Sequence, residues 1–138
     1  MNWKTTIFVV LIAWIAAVFC PAPAAAQEIE HKWQEYAKDG RGLIYFYDKD
    51  SVVFPSSGGM IKVWRKRDFP VRAGQKSIIS LDEIDCFKQK YRSVQIQVVR
   101  WDDTTETHNR VQDWMTIWGD TPEEWFLDNT CKEVRKKK

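Results

Sequence analysis

Tyr91-Arg92-Ser93-Val94-Gln95-Ile96-Gln97-Val98-Val99-Arg100-Trp101 carries the clearest alternation in the sequence. Val94, Ile96 and Val98 fall on one face, while Ser93, Gln95 and Gln97 fall on the other. Side chains along a strand repeat with period two, so this is the pattern of a half-buried antiparallel strand. Upstream, the stretch from Lys76 reads as a strand ending in Cys86, joined to the first by a short polar turn. Cys86 offers this hairpin a covalent tie to a distant element.

Working outward toward the N-terminus, Met60 to Lys66 reads as another strand, preceded by the loop Pro55-Ser56-Ser57-Gly58-Gly59 and followed by a connection through Pro70. Further upstream, Trp33 to Ala37 and Leu43 to Tyr47 flank the Gly-rich turn Lys38-Asp39-Gly40-Arg41-Gly42 and predict a hairpin rich in aromatics. Glu28 to Lys32 is polar and reads as a loose leader. The first residues are an address: Met1 to Lys4 is weakly positive, Ile7 to Phe19 is an unbroken apolar run, and Pro21 to Ala26 is rich in small residues. This predicts a cleaved secretory signal peptide over residues 1–26. The apolar run falls short of the roughly 20 residues a membrane-spanning helix needs. Cys20 follows the bulky Phe19, where lipidation wants a small residue, so Cys20 is expected to leave with the signal and no lipid anchor is expected.

What remains, residues 27–138, is the length of one domain. The whole chain carries 21 basic and 19 acidic residues, a net charge of +2, which gives a nucleic-acid partner no support. Cys86 and Cys131 are the cysteines left after processing, and an even pair in an oxidising compartment implies one disulfide.

Toward the C-terminus, Asp102 to Glu106 is a polar turn and Thr107 to Asp113 a candidate edge strand. Trp114 to Asp120 is apolar but irregular, and reads as a segment packed over one end of the sheet. Thr121-Pro122-Glu123-Glu124 then predicts a helix start, with Thr121 as N-cap, Pro122 at the first helical position and Glu124 completing a capping box. The helix should run to about Lys132 and turn Trp125, Phe126 and Cys131 toward the sheet.

Chemistry-bearing patterns are few. His31 and His108 stand in no nucleophile or metal-ligand spacing, and each reads as a solvated histidine. Asp102, Asp103 and Glu106 lack the glycine of a calcium loop and read as a charged turn. The residues therefore predict no catalytic residue, no metal and no cofactor. Lys62, Arg65, Lys66, Arg67, Arg72 and Lys76, with Trp64 among them, form a candidate partner-binding set for an acidic glycan or an acidic protein surface. The plain alternative is a solvated sheet face whose charges discourage edge pairing. Of Trp33, Trp64, Trp101, Trp114, Trp118 and Trp125, most are expected in the core, with one or two left to anchor a partner or a homodimer contact. The basic tail, Lys132 and Arg135 to Lys138, is either a peripheral membrane contact or a solvated terminus.

One resemblance spans most of the chain after residue 26. Trp33, then Gly42-Leu43-Ile44-Tyr45-Phe46-Tyr47-Asp48 with Asp50-Ser51-Val52, then Val63-Trp64 with Lys66, then Cys86, then Trp114 and Ile117 with Thr121 and Glu124, and last Cys131, together resemble the surface-adhesin protein E family. That resemblance implies a small exported Gram-negative bacterial protein of α+β class: an antiparallel sheet of about six strands, a C-terminal helix on one face, and a Cys86–Cys131 disulfide joining them. The family's namesake is a lipid-anchored outer-membrane adhesin that binds host extracellular-matrix and serum proteins. This chain departs from it in lacking a lipidation site and in carrying Asp82, Glu83 and Asp85 before Cys86. Two expectations follow: a non-enzymatic adhesin-like protein at the cell surface, or a soluble periplasmic accessory of an envelope assembly.

Overall fold

A computed structural model of the chain describes residues 30–54, 58–71 and 73–135. The expected signal peptide lies outside the described residues. The strands are β1 (Trp33–Lys38), β2 (Ile44–Asp48), β3 (Met60–Asp68), β4 (Ser77–Asp85), β5 (Lys90–Val99), β6 (Thr105–His108) and β7 (Met115–Thr116), followed by helix α1 (Pro122–Arg135). Strands adjacent in sequence are adjacent in the sheet, in the order β1-β2-β3-β4-β5-β6, and all pairs are antiparallel. β7 pairs with the start of β5 on the same outer edge as β6, at Lys90 and Tyr91. The fold is α+β, and Cys86 at the end of β4 is bonded to Cys131 in α1 with a Cα–Cα separation of 5.5 Å. Among the described residues, no helix is long and apolar enough to cross a membrane.

Local chemistry explains the punctuation. Between β1 and β2, the Asp39 carboxylate accepts from the backbone N–H groups of Arg41 and Leu43, at 2.9 and 3.0 Å. Gly42 completes that turn at φ +87°, a conformation an L side chain resists. At the start of α1, Thr121 Oγ1 accepts from the Glu124 N–H at 3.2 Å, as an N-cap should. The Glu124 carboxylate reaches one residue further than the capping box requires and accepts from the Asp120 N–H at 2.7 Å. Glu123 and Glu124 in the first turn and Lys132 and Arg135 in the last complement the helix dipole.

The helix covers one face of the sheet. Ile61 and Val63 from β3 and Ile84 and Cys86 from β4 meet Phe126, Leu127 and Cys131 from α1 in a single buried cluster. Tyr36, Tyr47, Val52, Tyr91, Ile117 and Val134 close its margins. Leu127, which the expected helix face omitted, is fully buried, and Trp125, which it included, is 53% exposed. At 100° per residue the inward stripe runs through 126, 127, 131 and 134, and Trp125 sits on its flank.

Three further expectations are corrected. Ser93 pairs with Asp82 and Gln95 with Leu81, so Val94 is the extra residue of a bulge. An inserted residue reverses the facing beyond it, so Ser93 lies on the helix-covered face while Val94 does not share the face of Ile96 and Val98. The sixth strand is Thr105–His108, earlier than residues 107–113, and all four of its residues are exposed. Residues 114–120 do not pack over the sheet end. Met115 and Thr116 extend the sheet in its own plane, opposite Tyr91 and Lys90, and only Ile117 reaches the core.

The six tryptophans among the described residues are not core either. Trp101, Trp114, Trp118 and Trp125 are exposed, and Trp33 and Trp64 are half-buried on the face opposite α1. The volume under the helix is filled by smaller aliphatic groups, Phe126 and tyrosines, so no indole is needed there.

Candidate binding groove

β1 is the edge of the sheet, and its register against β2 shifts between Glu35 and Ala37. The extra residue is Tyr36, and the bulge aims its ring under the helix. There it lies 5.0 Å from Phe126, 6.0 Å from Tyr45 and 6.1 Å from Tyr47, measured between centroids. The Trp125 indole lies parallel to it, 7° between planes and 6.1 Å between centroids. Burial pushes the Tyr36 hydroxyl up to about 12, and the nearby Arg65 charge pulls it back only in part.

Two hollows open on either side of the Tyr36–Trp125 pair. One, of about 330 Å³, is walled by Tyr36, Tyr47, Val52, Phe54, Trp125 and Phe126, with Gln34, Asn129 and Thr130 among its polar groups. Phe54 stands half-exposed at its rim. The other, of about 500 Å³, has Tyr36 and Trp125 on one side and Asp39, Asp120, Glu124 and Asp128 around it, with Lys38; Arg41 pairs with Asp39 and Arg135 with Asp128, each at 3.2 Å. Burial works against the Asp39 charge, but the backbone N–H groups of Leu43 and Arg41, together with the Arg41 guanidinium, outweigh it and hold the carboxyl below its usual range. One concave surface along β1 is thus aromatic at one end and acidic at the other.

Beneath the same helix, Arg65 donates from Nε and Nη2 to Asp82. Ser93 Oγ donates to the other Asp82 oxygen at 2.6 Å, and the guanidinium lies 4.8 Å from the Tyr91 ring and 5.6 Å from Phe126. Burial opposes the Arg65 charge, while the Asp82 carboxylate favours it and leaves its pKa raised.

Strand alternation scatters the basic set read from the sequence. Lys62, Trp64 and Lys66 lie on the open face; Arg65 and Arg67 lie on the helix side; Arg72 falls outside the described residues. β3 pairs along its length with the acidic β4, so its cations are met at home. Lys62 approaches Glu83 at 3.8 Å, Lys66 contacts Asp68 at 3.1 Å, and Lys76 contacts Asp103 at 2.5 Å. Glu83 also accepts from Arg92, whose guanidinium lies 4.6 Å from the Trp114 ring centroid. The set therefore forms no single basic patch, and Arg65, only 7% exposed, presents no guanidinium to a partner.

The remaining expected residues are placed as follows. His31 is not a loose leader residue: its Nδ1 lies 2.9 Å from the buried Asp48 carboxylate, and its ring packs against Trp33 and Trp64. His108 is exposed beside Glu106 at 3.2 Å. Asp103 and Glu106 pair with Lys76 and Arg100, and Asp102 caps Thr104. Among the described residues, no three His, Cys, Asp or Glu side chains converge as metal ligands would. The groove itself was missed by sequence reasoning; the one signal for it was Trp125 beside Phe126 in a helix with room for one of them inside. Comparisons with protein-family models, with curated proteins and with solved structures find no match.

Proposed function

We propose that this chain is an exported, non-enzymatic protein of the cell envelope that binds a macromolecular partner, adhesin-like at the cell surface, through the groove between α1 and the β1–β2 hairpin. The observation that carries this reading is Trp125. The helix buries its other apolar side chains against the sheet, yet Trp125 is held half-exposed by a parallel Tyr36 ring, with a concave surface on each side. An exposed indole in a preformed hollow is the anchor type that dominates binding energy at interfaces. The apolar leader and the resemblance to the surface-adhesin protein E family support export and a binding role. Among the described residues the one deeply buried ion pair, Arg65–Asp82, is sealed under the helix and suits a structural role.

The test is site-specific photo-crosslinking in intact cells, with the reactive group at position 125 and, as control, at the exposed position 111. Macromolecular adducts from 125 alone, on a chain that external protease can cleave, are expected. No adducts at 125, or equal labelling at both positions, overturns the groove. Protection from protease until the outer membrane is opened places the protein in the periplasm instead.

A further inference from the structure

We propose that the groove receives an extended peptide segment of the partner, added as a strand along the outer edge of β1, which no strand among the described residues pairs, with a Lys or Arg side chain in the acidic hollow and an aromatic side chain in the apolar one. This rests on the binding role proposed above and specifies its ligand. Edge strand and helix lie side by side, and successive residues of β1 and the turn after it line first one hollow and then the other: Gln34 to Tyr36, then Tyr36 to Asp39. A strand laid on that edge repeats its facing about every 7 Å, so residues two apart both point toward α1. Because the hollows share Tyr36 and Trp125, an i, i+2 pair is the spacing that fills them. Backbone pairing would supply affinity and the two hollows specificity.

The charges choose the occupant. Asp39 is already paired with Arg41 and Asp128 with Arg135, at 3.2 Å each, but Asp120 and Glu124 have no cationic partner among the described residues, and this pair beside Lys38 disfavours an acidic side chain and favours a cation, which an indole face also attracts. The neighbouring hollow offers Tyr47, Phe54 and Phe126 rings instead. The bulge at Tyr36 is a feature that ordinarily discourages edge pairing. Here it falls between the hollows and turns the Tyr36 ring toward Trp125.

The experiment uses two fluorescein-labelled octapeptides, Thr-Thr-Arg-Thr-Phe-Thr-Thr-Thr and the same residues with Arg and Phe exchanged, titrated with the purified chain by fluorescence anisotropy. One order is expected to bind, and to lose at least tenfold when Arg is replaced by Glu, when alternate amides are N-methylated, or when the protein carries Asp120→Asn with Asp128→Asn. That pair retains the cap made by Glu124, and Asn tolerates the positive φ of Asp120. Circular dichroism of the double variant confirms that it is folded. Failure of both peptides to bind while position 125 still crosslinks in cells overturns the peptide mode and leaves the binding role standing. Failure of both peptides together with loss of crosslinks overturns the binding role too. Adducts at 125 that prove to be a second copy of this chain, and vanish on deleting residues 136–138, replace the partner peptide by self-association and overturn the proposal.

Discussion

Arg65 and Asp82, seventeen residues apart in the chain, meet under the helix, with Asp82 wholly buried and its second oxygen held by Ser93. Two charges taken out of water stabilise the fold little as a pair, but either one left alone is costly. Asp82→Ala is therefore expected to destabilise by about 3–5 kcal/mol in urea unfolding. The double variant Arg65→Met with Asp82→Leu should recover most of that loss. A double variant as unstable as the single would show that Ser93 and Tyr91 depend on the charges, contrary to this account.

The Cys86–Cys131 bond closes a 45-residue separation between sheet and helix, with both sulfurs fully buried. On the chain-entropy argument its loss costs roughly 4 kcal/mol. Replacing both cysteines by Ala should lower the thermal midpoint by well over ten degrees, and reductant should then have no further effect. Equal midpoints for both forms would show that the helix is held by packing alone.

Trp125 and Phe126 are neighbours in sequence with opposite roles. Phe126→Ala empties the core and should cost about 3–5 kcal/mol. Trp125→Ala should cost about 1 kcal/mol, because about half of its surface is already in water, while abolishing crosslinking from a second reactive group placed at Phe54. Comparable destabilisation by the two would assign Trp125 to the core and remove the argument for a groove.

The partly buried Tyr36 hydroxyl gives the fold an alkaline limit. Its pKa rises from 10 in the unfolded chain to about 12 in the folded one, chiefly through burial. The unfolded state therefore releases its proton first, so this stability is complete below pH 10 and is lost between pH 10 and 12, amounting to roughly 2–3 kcal/mol. Tyr36→Phe should flatten the fall of stability over that window. Parallel curves for the two proteins would refute it.

Gly59 stands at φ +66°, and a Cβ there would overlap the Phe87 ring. Gly59→Ala is expected to cost about 1–3 kcal/mol, from backbone strain and the displaced ring together. A neutral result in chemical denaturation would mean that the ring and the turn yield freely.

Much of the fold was legible because its signals are local. The period-two stretches, the Asp39 to Gly42 turn, Thr121 before Pro122, and two cysteines specify strands, a turn, a helix start and a tie without reference to anything distant. The bulges at Tyr36 and Val94 leave no such mark, and each changes which side chains share a face. Alternation says which residues lie together; it does not say which face the helix will cover. Nor could composition show that the basic β3 would find its counter-charges on β4, since that depends on register across the sheet.

By itself the sequence determined the class of fold, the order of its elements and, once Cys20 is set aside with the expected signal peptide, the bond that joins helix to sheet, because propensity, capping and cysteine pairing act over a few residues or on a single pair. Tertiary structure alone decided that Arg65 is buried, that the tryptophans stand outside the core, and that β1 and α1 enclose a two-sided groove. Those facts arise where distant segments come together, at Arg65, Asp82 and Ser93 for the buried charge and at residues 34–54 and 120–130 for the groove, and such packing depends on shape and register that no single stretch of the chain contains.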